Sequence, residues 1–209
     1  MNHPSLLLLT ALLVAVVSLA THAADKESEE GFVSLTDGKS FDGWKRVENK
    51  DSWTLEDGAF KANGPRSHLF YVGDDKPFKN FELKVDVMTR ANSNGGIYFH
   101  TKFQPEGWPS AGYESQVNNT HRDPQKTGGL YNTAKVLEAP AKDDEWFTQH
   151  IIVEGKHVVV KIDGKTVVDF TEPDDREGPV KLSEGTFALQ AHDPGSTVYF
   201  KNIRAKRLP

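Results

Sequence analysis

The chain has 209 residues, no cysteine, and 25 Lys plus Arg against 30 Asp plus Glu, a net charge of −5. Without a basic surplus it does not read as a nucleic-acid binder, and its length suits one domain with a sizeable core. The missing cysteine removes disulfides, thiolate metal sites and thiol nucleophiles, leaving carboxylate, imidazole and amide groups to build any site.

The one long apolar run, Leu6 to Val17, sits at the N-terminus and gives way to Thr21-His22-Ala23-Ala24. It is short for a bilayer span and is followed by small residues, the layout of a secretory signal peptide over residues 1–23. Cleavage after Ala23 leaves 186 residues. An uncleaved anchor is the rival reading; a diacyl lipoprotein is excluded because no cysteine is present. Residues 24–30 read as a solvated charged leader and 31–209 as a single domain, exported to the periplasm or beyond and free of the membrane once the signal is removed.

From Phe32 onward the dominant period is two. Phe81, Leu83, Val85 and Val87 alternate with Glu82, Lys84 and Asp86. Two β-branched runs, 157–162 and 165–170, are joined by Asp163-Gly164, a strong short-range signal for a hairpin. Further strands are predicted at 53–55, 59–62, 68–72, 96–101, 113–117, 147–153, 186–192 and 197–204. No capped helical stripe follows the signal. About ten short strands with turn residues between them predict an all-β fold, an antiparallel sandwich or jelly roll. The segments 104–111 and 118–142 are long, polar and rich in Gly, Pro and Trp, as functional loops are.

Parity then sorts the side chains of each strand. Burying Ile97 and Phe99 turns Tyr98 and His100 outward. Burying Tyr113 and Val117 turns out Glu114, Gln116 and Asn118. Burying Phe187 and Leu189 turns out Gln190 and His192, and the same rule exposes Tyr199 and Lys201 on the last strand. A merely wet face carries Lys, Glu, Thr and Arg. This one presents hydrogen-bonding groups of little rotamer freedom, which suit a polyhydroxyl ligand.

Each residue alone also reads as solvated surface, and only the joint pattern points to a ligand. His150 belongs either to this face or to the far sheet, and His68, His121 and His157 read as loop or edge residues. Trp108 and Tyr131 either cap a sugar ring or anchor their loops. Asn94, in the turn 92–96, is within reach of the face. The run Asp174-Asp175-Arg176-Glu177 reads as a solvated loop, with Ca²⁺ binding as the alternative.

Gly31 to Trp44, Gly95-Gly96-Ile97-Tyr98-Phe99-His100, Gly112-Tyr113-Glu114-Ser115-Gln116-Val117, Thr127-Gly128-Gly129-Leu130-Tyr131, Glu145-Trp146 and Phe200-Lys201-Asn202-Ile203-Arg204 follow one another in an order that resembles the 3-keto-disaccharide hydrolase domain family. The resemblance covers nearly all of the chain after its signal. It implies a concanavalin A-like jelly-roll β-sandwich and an exported bacterial enzyme that cleaves glycosides already oxidised at C3 by a partner sugar 3-dehydrogenase. Many members carry Arg where this chain has His100, and their Asn-Ser-Gly turn is lengthened here to residues 92–96.

A ketone at C3 acidifies the C2 proton, so a base can remove it and expel the C1 substituent, after which water adds to the enone. One base, one acid and an enolate stabiliser suffice. Glu114, His100 and His192 are the candidate catalytic groups. Tyr98, Gln116, Asn118, Gln190, Tyr131, Trp108, Asn94 and Lys201 are the candidate substrate contacts. The histidines leave room for a divalent cation, and no nucleotide cofactor is expected. Two rival readings are a two-carboxylate glycosidase, which needs carboxyls roughly 5–9.5 Å apart, and a non-catalytic sugar-binding module.

Overall fold

The computed structural model describes residues 30–209. The signal peptide read at 1–23 lies outside the described residues, as does the leader apart from Glu30. The strands, in chain order, are β1 (Val33–Ser34), β2 (Trp44–Arg46), β3 (Trp53–Glu56), β4 (Ala59–Ala62), β5 (Ser67–Tyr71), β6 (Phe81–Thr89), β7 (Gly95–Thr101), β8 (Tyr113–Val117), β9 (Phe147–Glu154), β10 (His157–Ile162), β11 (Lys165–Thr171), β12 (Thr186–Ala191) and β13 (Val198–Arg207).

They form two antiparallel sheets, the larger in the order β11-β10-β9-β6-β13-β4-β3 with β1 also on β13, the smaller in the order β2-β5-β12-β7-β8. The core lies between them, because alternation gives each sheet one apolar face. Phe81, Leu83, Val85 and Val87 of β6 join Ile97 and Phe99 of β7 and Phe187 and Leu189 of β12 in a single buried cluster. Each such side chain contributes about 1.5–3 kcal/mol by leaving water. The β10–β11 hairpin closes where the sequence indicates. Asp163 and Gly164 both take positive φ, 48° and 78°, as a two-residue type I′ turn requires.

Parity fails where a strand carries an extra residue. Across β7 and β12, Thr186 pairs with Thr101 but Ala188 pairs with Tyr98, so β7 accommodates one residue more, and His100 takes a φ of 55°. A bulge of this kind re-aims the next side chain. The His100 ring therefore turns into the sandwich, with its centroid 5.5 Å from that of Phe81 and 5.8 Å from that of Phe99. Its Nε2–H donates to Lys79 O at 2.8 Å and its Nδ1 accepts from the Ser183 amide at 3.1 Å. Burial lowers its pKa and keeps the ring neutral. His100 is a clamp between two loops and lies outside the polar face where the alternation places it.

Two further expectations change for related reasons. Lys201 does point out of its sheet, but β13 lies in the larger one, and its Nζ sits 3.8 Å over the Trp146 ring on the opposite side of the protein. Asn118 lies past the end of β8, where its Nδ2 donates to Asp123 O and Gln125 O and shapes the following loop. His150 belongs to the far sheet, with Nε2 2.9 Å from Glu82. Lys84 of β6 is buried, with its ammonium 4.6 Å over the Phe32 ring.

Candidate active site

The open face of the smaller sheet carries a cleft of about 360 Å³, and strand register explains its floor. Glu114 on β8 lies opposite Tyr98 on β7, and Gln116 lies opposite Gly96. On the other side of β7, β12 contributes Gln190, which pairs with His68 on β5. The gap over Gly96 is where the Glu114 carboxyl leans; a Cβ at that glycine would stand 2.3 Å from Glu114 Oε1.

Three polar groups at the centre are hydrogen-bonded to one another. Tyr98 donates its phenol proton to Glu114 Oε2 at 2.9 Å. Gln190 Nε2 donates to Glu114 Oε1 at 3.0 Å and to the Tyr98 hydroxyl at 2.8 Å. Burial pushes the Glu114 pKa up to about 7, outweighing these two donors, which lower it. Burial, then the neighbouring carboxylate, drives the Tyr98 pKa well above its ordinary value. A carboxyl with such a pKa is half ionised at neutral pH, so it can accept a proton from a weak acid and return it.

His192, directly after β12, stands at the rim. Its Nδ1–H donates to Asp193 Oδ2 at 2.7 Å, which fixes the tautomer. Trp108 packs between two imidazoles, its ring centroid 5.5 Å from His68 and 5.5 Å from His192. Its loop is held by the Gly107 amide, which donates to Glu48 Oε1, and by Arg66 lying 5.1 Å over the indole. Trp108 stays 43% exposed, so part of it remains open to a ligand. Asn94, Gln116, Tyr131, Asn132, Pro109 and Val180 complete the lining.

Of the residues singled out from sequence, the cleft brings together Glu114, His192, Tyr98, Gln116, Gln190, Tyr131, Trp108 and Asn94. His100, Asn118 and Lys201 lie elsewhere, as described above. Three groups escaped the parity argument. Asp123, a second carboxylate in the cleft, arrives from the loop after β8, and its charge helps to raise Glu114. No strand period marks it.

His68, expected at an edge, is fully buried on the cleft-side face of β5, with its centroid 5.6 Å from that of Tyr98. Desolvation takes its pKa down to about 4, and neither ring nitrogen finds a hydrogen-bond partner among the described residues. Asp193, also missed, begins an Asp-Pro-Gly-Ser turn, and that turn signature is the one sequence cue that points to it. Among the described residues no group of three or more His, Asp or Glu side chains is placed to hold a metal ion.

A two-sheet jelly roll with an amide-, imidazole- and carboxylate-lined cleft on its smaller sheet is a concanavalin A-like sandwich of the glycosyl hydrolase kind. The chain belongs to the 3-keto-α-glucoside-1,2-lyase-like domain family, whose profile matches residues 31–206. It is 25% identical over 233 aligned positions to the 3-keto-disaccharide hydrolase of Bacteroides thetaiotaomicron, covering 86% of this chain and 79% of that one. A Parabacteroides distasonis structure assigned to the glycosyl hydrolases superposes with a TM-score of 0.74 at 25% identity, covering 88% and 97% of the two chains. A second from the same organism gives 0.66 at 21% identity, over 85% and 99%, a likeness of fold alone.

Proposed function

We propose that this protein cleaves the glycosidic bond of 3-keto-glucosides or 3-keto-disaccharides by elimination and hydration. The observation that carries the reading is the Glu114 carboxyl, held by Tyr98 and Gln190 on the floor of the cleft with its pKa near 7. Glu114 removes the C2 proton, the electrons pass into the C3 ketone as an enolate, and their return expels the C1 oxygen. His192 at the rim supplies the proton that the leaving oxygen takes. Water then adds at C1 of the enone and passes its proton to His192, while Glu114, whose carboxyl proton exchanges with solvent, delivers a proton to C2. The amides of Gln116 and Asn94 are the donors available to the enolate oxygen. In this reading the chain is exported after removal of residues 1–23, and a sugar 3-dehydrogenase supplies its substrate.

The test is turnover of a 3-keto-glucoside in D₂O by the wild type and by Glu114→Gln. Enzymatic deuterium incorporation at C2 in the wild type, with both incorporation and turnover lost in the variant, is the expected outcome. Full turnover by Glu114→Gln overturns it. Asp123 in the same cleft favours a second reading, hydrolysis of unoxidised glycosides by a pair of carboxylates. Turnover of an unmodified glucoside without label at C2 selects that reading. Calorimetric binding of glucosides with no turnover of either form selects a sugar-binding module.

A further inference from the structure

The turn that follows β12 is wired for more than chain reversal. Ser196 N donates to Asp193 O at 3.1 Å and Gly195 N donates to Asp193 Oδ1 at 2.8 Å, which fixes the carboxylate on its own turn. Asp193 Oδ2 then accepts from Ser196 Oγ at 3.0 Å and from His192 Nδ1 at 2.7 Å. Ser196 Oγ is itself fixed, because it accepts from the Asn94 amide at 2.9 Å, and Asn94 lines the cleft. A continuous chain of hydrogen bonds thus runs from the backbone amide of Asn94, directly before β7, through Ser196 and Asp193, to the imidazole at the rim.

We propose that Asp193 is the positioning residue for His192: it holds the proton on Nδ1, fixes the ring against its own turn, and leaves Nε2 as the exchanging atom. A carboxylate bonded to one imidazole nitrogen selects the tautomer and the orientation of the ring. Ser196 keeps the carboxylate in line by directing a donor at the oxygen that His192 uses. The inference rests on the proposed reaction only for the role of Nε2, which would protonate the leaving oxygen at C1. The titratable groups around His192 are Asp193 on its own turn, His121 with its centroid 5.8 Å away, and His68 on β5. Trp108, from the loop after β7, packs against the ring without charge.

The experiment is Asp193→Asn in the full chain. Gly195 N demands an acceptor at one side-chain position, so the new amide must direct its NH₂ toward His192 and Ser196. It would donate to Nδ1 and move the ring proton to Nε2. Long-range ¹⁵N–¹H spectra of His192 should show the tautomer exchange. The kcat on a 3-keto-glucoside should fall about 100-fold with little change in KM, and its pH profile should move. Ser196→Ala, which leaves Asp193 in place, should keep the tautomer and lose about 5–10-fold in kcat. An unchanged His192 tautomer in Asp193→Asn overturns the proposal, and so does an unchanged kcat with a displaced tautomer. If Asp193→Asn does not fold, Ser196→Ala with wild-type kcat and pH profile overturns it instead. Absence of wild-type turnover on the 3-keto-glucoside is a failure of the proposed reaction alone, because the spectra still report what Asp193 does to His192.

Discussion

The carboxyl of Glu114 occupies the space above Gly96 that any other side chain would fill, with its Oε1 2.3 Å from the position of a Cβ there. The glycine sits in the middle of the floor, flanked by Gln116 on one strand and the Gln190 strand on the other. Its lack of a side chain lets the acid lean across β7 and reach two donors at once. Gly96→Ala should therefore displace the carboxyl from Tyr98 and Gln190 while the sheet hydrogen bonds remain. Activity should fall at least about 10-fold, which corresponds to roughly 1.4 kcal/mol in transition-state binding, with circular dichroism unchanged. Retention of full activity would show that the carboxyl position does not matter.

The raised pKa of Glu114 has consequences for both rate and stability. As a base it works ionised, so kcat/KM should rise with pH through an ionisation near 7. For stability the sign is opposite. The folded pKa lies above the ordinary 4.5, so the folded state binds the extra proton, and stability falls as pH rises from about 4.5 to about 7. Glu114→Gln removes this penalty and should be more stable than the wild type at pH 8 by on the order of 1–3 kcal/mol. At pH 4 the gain should vanish, as denaturant titrations at the two pH values can measure.

His100 should affect stability and leave the chemistry alone. Its two ring nitrogens bond Lys79 O and Ser183 N inside the sandwich. His100→Ala orphans both groups and opens a cavity, at an expected cost of about 2–4 kcal/mol. The folded fraction should retain wild-type kcat, and a large loss of kcat would contradict the placement.

Trp108 is exposed at the cleft and braced from behind by Arg66 and His68. Trp108→Ala should raise KM about 5–20-fold with a smaller effect on kcat, the pattern of lost stacking area. Tryptophan fluorescence should change on titration of the wild type with glycoside and respond far less in the variant.

Much of this molecule was legible in its sequence. Alternation of apolar residues and the Asp163-Gly164 turn determined that the chain forms a sandwich, because a period of two commits one face of every strand to the core. The same alternation turned Tyr98, Glu114, Gln116 and Gln190 toward one side, since those strands run regularly through the smaller sheet. What parity lacks is knowledge of the partner strand. It names the side of a strand and never the sheet, so Lys201 came out on the wrong face of the protein. It also assumes one residue per step, and the bulge in β7 sends His100 into the core.

Asp123 and Asp193 come from loops, where no period exists and contacts distant in sequence decide the geometry. The most consequential property, the elevated pKa of Glu114, belongs to none of these residues singly. It arises because folding encloses a carboxyl that water would otherwise solvate and offers two hydrogen bonds, which do not fully offset the loss. The cysteine-free, acidic composition of the chain determined which chemical groups could build a site. Only the tertiary structure decided which of them meet, because burial and register are properties of the folded sheet.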